Sequence, residues 1–307
     1  MPIYLPIAGL SVDIFMLIAI GAVTGVLAGM FGIGGGFLMT PFLMFIGVPP
    51  AVAVSSSANQ IIASSFSGVL AHSKRANVDF QMGIYLTAGG VLGALGGIEI
   101  FKWLKQLGQI DLVISLTYVG LMGIIGLIMA YESIRTIMYN YMGKIIPSKK
   151  RASYISTLGL PFKVEFKKSN IQVSAIIPLL IGAFVGILVS IMGIGGGFFT
   201  IPAMIYLLGM PTSLVIGTSL FQITCVTSVV TFLYAINTQT VDIVLSSIMV
   251  FTSVIGAQYG ARIGTKLPAE YLRMFLALMI LAIVVRLGYG LVATPAHIYQ
   301  IAAIQRW

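Results

Sequence analysis

Read for hydrophobic and polar positions, the chain is a series of long apolar runs separated by short polar breaks. The runs fall at about 14–31, 35–47, 52–72, 82–101 and 112–131, then, after a hydrophilic stretch of about 40 residues, at about 174–192, 196–209, 213–236, 243–261 and 272–293. Uninterrupted apolar runs of roughly 18 residues or more predict helices that cross a bilayer. The runs do not alternate at every second position, which argues against a transmembrane β-barrel. The expected fold is an all-α polytopic membrane protein with about eight to ten membrane segments.

The runs form a five-plus-five pattern, and the polar and glycine positions inside them repeat. Gly32-Ile33-Gly34-Gly35-Gly36-Phe37 matches Gly193-Ile194-Gly195-Gly196-Gly197-Phe198, followed in each copy by a proline, Pro41 and Pro202. Gly47-Val48-Pro49 matches Gly209-Met210-Pro211, Val78-Asp79 matches Val241-Asp242, and Gly93 and Gly97 match Gly256 and Gly260. Two homologous repeats are therefore expected, inserted in opposite orientations: repeat 1 over 1–131, a linker over 132–172, and repeat 2 over 173–307.

Four glycines in five positions are costly inside a helix, at about 1 kcal/mol each relative to alanine. Each repeat should contain a discontinuous helix: a full helix, an unwound glycine turn and a short half-helix. Broken backbone is tolerated at membrane depth only where protein buries it or it lines a polar cavity. A half-helix that starts at such a turn presents free N–H groups to a negatively charged ligand, and paired interrupted segments point to a transporter's substrate site. Gly34, Gly35, Gly36, Gly195, Gly196 and Gly197 are accordingly candidate substrate-binding positions. Gly93, Gly97, Gly256 and Gly260, spaced by four, read as helix-packing positions instead.

The segment after each half-helix supplies polar groups. Ser57, Gln60, Ser64 and Ser67 share one helical face. Repeat 2 offers Thr218, Ser219 and Gln222, with Cys225 one turn on. Neutral donors suit a small oxyanion, because they solvate its charge without trapping it. Interhelical hydrogen bonding by Ser and Thr is the competing role; the identical placement of Gln60 and Gln222 favours a ligand. Cys225 reads as a packing residue and His72 as an interfacial one. Glu99 and Arg262 occupy equivalent positions near segment ends, where long side chains snorkel. Arg286 lies deeper in its run.

Composition sharpens the picture. Of 307 residues 58% are hydrophobic and 8% charged, against about 25% charged in a soluble domain, and mean hydropathy is +1.05. The net charge of +9 reads as membrane orientation rather than nucleic-acid binding: eight basic residues against two acidic ones fall in 132–172, among them Lys149, Lys150 and Arg151, which makes this linker cytoplasmic. No basic residue precedes the first apolar run, so that run is expected to be a retained helix rather than a secretory leader. A single cysteine and two distant histidines provide no metal-ligand spacing and no intramolecular disulfide, and no cofactor is expected. No motif pairs a nucleophile with a base, so an enzyme is not expected.

The doubled GIGGGF…P…G-x-P blocks, followed by SSSANQ, GTSLFQ and the two VD pairs, resemble the sulfite exporter TauE/SafE family of membrane permeases. The resemblance covers nearly the whole chain, including LGLPFKVEFKKS ahead of the second repeat. It implies a multi-pass protein of the bacterial inner membrane that transports a small inorganic or organic sulfur oxyanion, such as sulfite or an organosulfonate, commonly as export. The expected partners are that anion and membrane lipid, with homo-oligomerisation left open and no nucleic acid. A permease subunit or a non-transporting scaffold of a larger complex is the alternative.

Overall fold

The computed structural model of the protein describes residues 2–31, 34, 36–141, 162–264 and 269–292. Within these residues the structure is built from helices, with two small hairpins. The first repeat opens on a hairpin, β1 (Pro2–Leu5) and β2 (Leu10–Asp13). It continues through α1 (Ile14–Phe31), α2 (Gly36–Phe45), α3 (Pro50–Lys74) and α4 (Phe80–Gln106), then α5 (Ile110–Thr117), which passes through a π-helical turn into α6 (Gly123–Tyr141). The second repeat has the same order: a hairpin, β3 (Lys163–Phe166) and β4 (Ile171–Ser174), then α7 (Ile176–Met192), α8 (Gly197–Pro202) with a π-helical turn at Ala203–Leu207, α9 (Thr212–Asn237), α10 (Ile243–Gly264) and α11 (Ala269–Val292).

Among the described residues, six helical stretches are long and apolar enough to cross a membrane: Ile14–Phe31, Phe80–Gln106, Ile110–Tyr139, Ser213–Asn237, Ile243–Gly260 and Met274–Val292. Gly36–Phe45, Ile176–Met192 and Gly197–Leu207 are shorter apolar helices. Helix α3 has the length, at 25 residues, but buries Ser55, Ser56, Ser57, Gln60, Ser64 and Ser65, which lowers its hydropathy. It is a polar helix protected by its neighbours rather than a lipid-facing one. The protein is thus an all-α multi-pass membrane protein.

The hairpins are the main addition to the expected architecture. Both are antiparallel and four residues long per strand, with Leu5 opposite Leu10 in one and Phe166 opposite Ile171 in the other. Each turn contains a left-handed residue at the same place, Gly9 (φ 68°) and Asn170 (φ 52°), the residue types that tolerate this conformation. The stretch 132–172 is therefore not uniform: its first part completes α6 and its last part forms the second hairpin. Lys149, Lys150 and Arg151 lie outside the described residues.

Helices pack across the repeats in equivalent pairings: the first long helix of each repeat lies on the fourth helix of the other, α1 on α10 and α7 on α4. Helix α1 runs parallel to α10: a Cβ on Gly21 would meet Thr252 and Met249, one on Gly25 would meet the Ser253 backbone, and one on Gly260 would lie 1.9 Å from Val26 O. Helix α4 runs parallel to α7 in the same way, with Gly93 against Ala183 O at 1.9 Å and Gly186 against Gly90 O at 2.0 Å. Small residues let these backbones touch, which is how helices adhere where lipid supplies no hydrophobic drive. Helices α3 and α9 instead run antiparallel, Gly68 lying by Leu220 and Gly217 by His72. So do α6 and α11, where Gly123 lies by Val284 and Gly126 by Ile280. These pairings describe a pseudo-two-fold relation whose axis is perpendicular to α3 and α9.

The two glycine turns at the centre

Each half-helix folds back along the middle of the polar helix that follows it. In repeat 1 this is fixed by the Thr40 and Ser57 hydroxyls, 2.7 Å apart, and by Gly36, whose Cβ would collide with Ile61 Cδ1 at 1.9 Å. Residues 57–65 are the central turns of α3, so the glycine turn sits at its midpoint. The Ser64 hydroxyl donates to Gly34 O at 3.1 Å and anchors the turn there. Gly34 (φ 85°), Gly193 (φ 64°), Gly195 (φ 76°) and Gly196 (φ 76°) all have left-handed backbone, which is why glycine is needed. Helix α8 begins without a side-chain cap on Gly196, and Gly36 and Gly197 are the buried first residues of α2 and α8. Gly35 lies outside the described residues.

The turns of the two repeats meet. A Cβ on Gly36 would lie 3.1 Å from Gly193 O, and the Ser57 hydroxyl reaches Gly193 O at 3.5 Å. Between the turns are Ile61 and Ile223, which occupy the same repeat position. A Cβ on Gly34 would lie 3.6 Å from Cγ2 of each, and one on Gly195 would lie 2.9 and 3.2 Å from them. Both isoleucines are buried. Sequence reasoning passed over them because an isoleucine in an apolar run carries no signal; their shared repeat register was the one available sign.

Gln60 and Gln222 precede these isoleucines and are also buried, with 0% and 1% of their surface exposed. Neither the nitrogen nor the oxygen of either amide has a hydrogen-bond partner. The Gln222 amide is directed at the α4–α7 seam, where a Cβ on Gly90 would lie 3.6 Å from its nitrogen. Burying an amide without a partner costs about 1–3 kcal/mol on mutational scales, so two at equivalent repeat positions is a costly coincidence unless something else completes them.

The hydroxyls are placed differently. Ser57 bonds Thr40 and Val54 O at the turn, and Ser219 donates to Ile216 O within its own helix. Thr218 lies at the head of α4, where its hydroxyl accepts the Asp79 N–H at 2.9 Å. Cys225 is a half-buried free thiol. Arg286 is exposed near the end of α11 and stacks on the Phe45 ring at 5.8 Å, at the far end of α2 from the turn.

The sequence model of the sulfite exporter TauE/SafE family matches residues 17–287, a span that holds both glycine turns and every helix pairing described above. The chain belongs to the sulfite exporter TauE/SafE family. Curated relatives agree. "Probable membrane transporter protein YjnA" of Bacillus subtilis (strain 168) is 25% identical over 86% of this chain and 96% of its own. A "Probable membrane transporter protein" of Xylella fastidiosa (strain 9a5c) is 26% identical over 84% and 87%. "Sulfite exporter TauE/SafE family protein 3" of Arabidopsis thaliana is 26% identical over 39% of this chain and 28% of its own. No solved structure matches the chain. Within this TauE/SafE protein the doubled glycine motif is thus the pair of turns that meet between α3 and α9.

Proposed function

We propose that this protein is a secondary transporter of the bacterial inner membrane, not an enzyme, and that it moves small sulfur-containing anions such as sulfite or organosulfonates, as an exporter. The observation that carries this reading is the pair of buried, unpartnered amides of Gln60 and Gln222, on the residues that immediately precede Ile61 and Ile223 at the meeting glycine turns. An oxyanion accepts hydrogen bonds from amide nitrogens and from bare helix-terminal N–H groups, and such charge-assisted bonds are the strong ones. The site has no fixed cation among Gly34, Gly36, Ser57, Gln60, Gly195, Gly196, Gly197, Ser219 and Gln222, so a bound anion is held without being trapped. Conversion between states requires Ile61 and Ile223 to move apart and the turns to separate.

Orientation follows from charge. The repeats are proposed to be inverted with respect to the bilayer, a reading supported by the antiparallel course of α3 against α9 and of α6 against α11. Lys74, Arg75, Arg135, Lys163, Lys167, Lys168 and Arg262 then gather on the β3–β4 face, against Lys102, Lys105 and Arg286 on the other. The β3–β4 face is cytoplasmic by the basic-residue rule. Counterflow in vesicles containing the purified protein alone tests the proposal: labelled sulfite or thiosulfate should exchange and a carboxylate such as acetate should not. Exchange of none of these anions would point to the scaffold or subunit alternative.

A further inference from the structure

Among the described residues, a cavity lies off the pseudo-symmetric centre, and the residues of the equivalent space on the other side are buried. It has a volume of about 430 Å³, runs from Gly34 and Ser64 at the centre along the C-terminal half of α3, and opens past His72, Arg75, Gln258 and Arg262. Among the described residues its walls carry two arginines and a histidine and no carboxylate. The Nδ1 atom of His72 is buried without a partner, while Arg75 and Arg262 are exposed at the mouth. The repeat equivalence defines the counterpart space. Ser64, Gly68 and His72 correspond to Val226, Val230 and Tyr234, and Arg262 corresponds to Glu99. That space is filled: Val226, Val230, Tyr234 and Phe101 are buried, the Phe101 and Tyr234 rings are 5.1 Å apart, and the Tyr234 hydroxyl donates to Ser190 O. At its outer end Glu99 pairs with Lys102 at 2.7 Å.

We infer that this cavity is an anion-selecting vestibule, that Arg75 and Arg262 confer its selectivity, and that the conformation described is open on the β3–β4 face and shut on the opposite one. This rests on the proposed anion site at the turns, to which the vestibule leads. A narrow polar cleft between apolar walls concentrates the field of charges at its mouth and raises the local concentration of ions of opposite sign. The two faces are chemically unequal: one presents arginines above an open cleft, the other a Glu99–Lys102 pair above a closed aromatic seal. A transporter so built takes up its anion at lower concentration from the β3–β4 side, as an exporter with that side in the cytoplasm requires.

The experiment reads the vestibule without needing the substrate. In a Cys225→Ser background, Ser67→Cys is exposed to membrane-impermeant thiosulfonates bearing a sulfonate or a trimethylammonium group, and the ratio of the two rates is normalised to that of a free thiol. The thiol should react only in the vesicle orientation in which Ser73→Cys at the end of α3 reacts. The sulfonate reagent should be favoured about three- to ten-fold, falling as salt is raised. Arg75→Gln and Arg262→Gln should each lower that preference, and the double variant should abolish it. Val230→Cys should be protected from the opposite face. Should Ser67→Cys fail to fold, Ala71→Cys lines the same cavity. Reaction from the opposite face, ready reaction of Val230→Cys, or a sulfonate preference unchanged in the double variant would overturn the inference. An absence of sulfite exchange with these labelling results intact would instead count against the proposed substrate.

Discussion

Asp79 and Asp242, equivalent residues of the two repeats, each fasten the opposite repeat's hairpin. Asp79 caps α4 by accepting the Met82 N–H at 3.1 Å and accepts the Ser169 hydroxyl from the β3–β4 turn, while its own N–H donates to Thr218 on α9. Asp242 caps α10 through Leu245 N at 3.1 Å, accepts the Ile7 N–H from the β1–β2 turn at 3.0 Å, and donates its N–H to Ser56 on α3 at 3.0 Å. Both carboxylates are almost fully buried. Each repeat is thus tied to the other at both ends of the molecule.

Removing either carboxylate removes a helix cap and leaves a buried cross-repeat donor unsatisfied. Asp79→Ala and Asp242→Ala should each destabilise the protein by roughly 2–4 kcal/mol, whereas Asp79→Asn, which can still cap, should lose much less. Melting in detergent, followed by loss of the monodisperse peak, measures this. Equal losses for Asp79→Ala and Asp79→Asn would show that capping is not what the residue provides.

The seam between α4 and α7 distinguishes neighbouring glycines. A Cβ on Gly93 would lie 1.9 Å from a backbone oxygen, whereas one on Gly96 meets nothing within 4 Å. Gly93→Ala must push two backbones apart and should cost about 1–3 kcal/mol, and Gly96→Ala should stay within about 0.5 kcal/mol of the parent. The same melting assay separates them.

Much of this arrangement was legible in the sequence. Long apolar runs marked the helices, and the clustered glycines, which a continuous helix does not accommodate, marked both turns and their duplication. The hairpins were not legible: four-residue strands such as Lys163–Phe166 are too short for an alternating pattern to stand out, and their basic residues read as linker. The pairing of α1 with α10 was hidden because contacts between distant glycines follow from the fold. Arg262 read only as a snorkelling charge, and Arg75 lies 187 positions away; only the folded chain brings the two to one cavity.

Inversion of the repeats has its own test. Helices α3 and α9 run antiparallel, and Ser73 and Asn237 are exposed near their C-terminal ends. In a Cys225→Ser background, single cysteines at these positions should be labelled by an impermeant maleimide from opposite sides of the membrane, Ser73→Cys from the cytoplasmic side. Labelling from the same side would exclude an inverted arrangement.

The central claim is that the unpartnered amides of Gln60 and Gln222 are completed by an anion at the glycine turns. The most direct measurement is the thermal stabilisation of purified protein by sulfite, thiosulfate and a short organosulfonate, compared among the parent, Gln60→Leu, Gln222→Leu and the Gly96→Ala control. Loss of one charge-assisted hydrogen bond, about 1.5–3 kcal/mol, should weaken binding by roughly ten-fold or more in each leucine variant. The unliganded leucine variants should melt no lower than the parent, since a buried unpaired amide has been removed, and Gly96→Ala should bind as the parent does. Unchanged anion affinity in both leucine variants would contradict the account and place the site elsewhere.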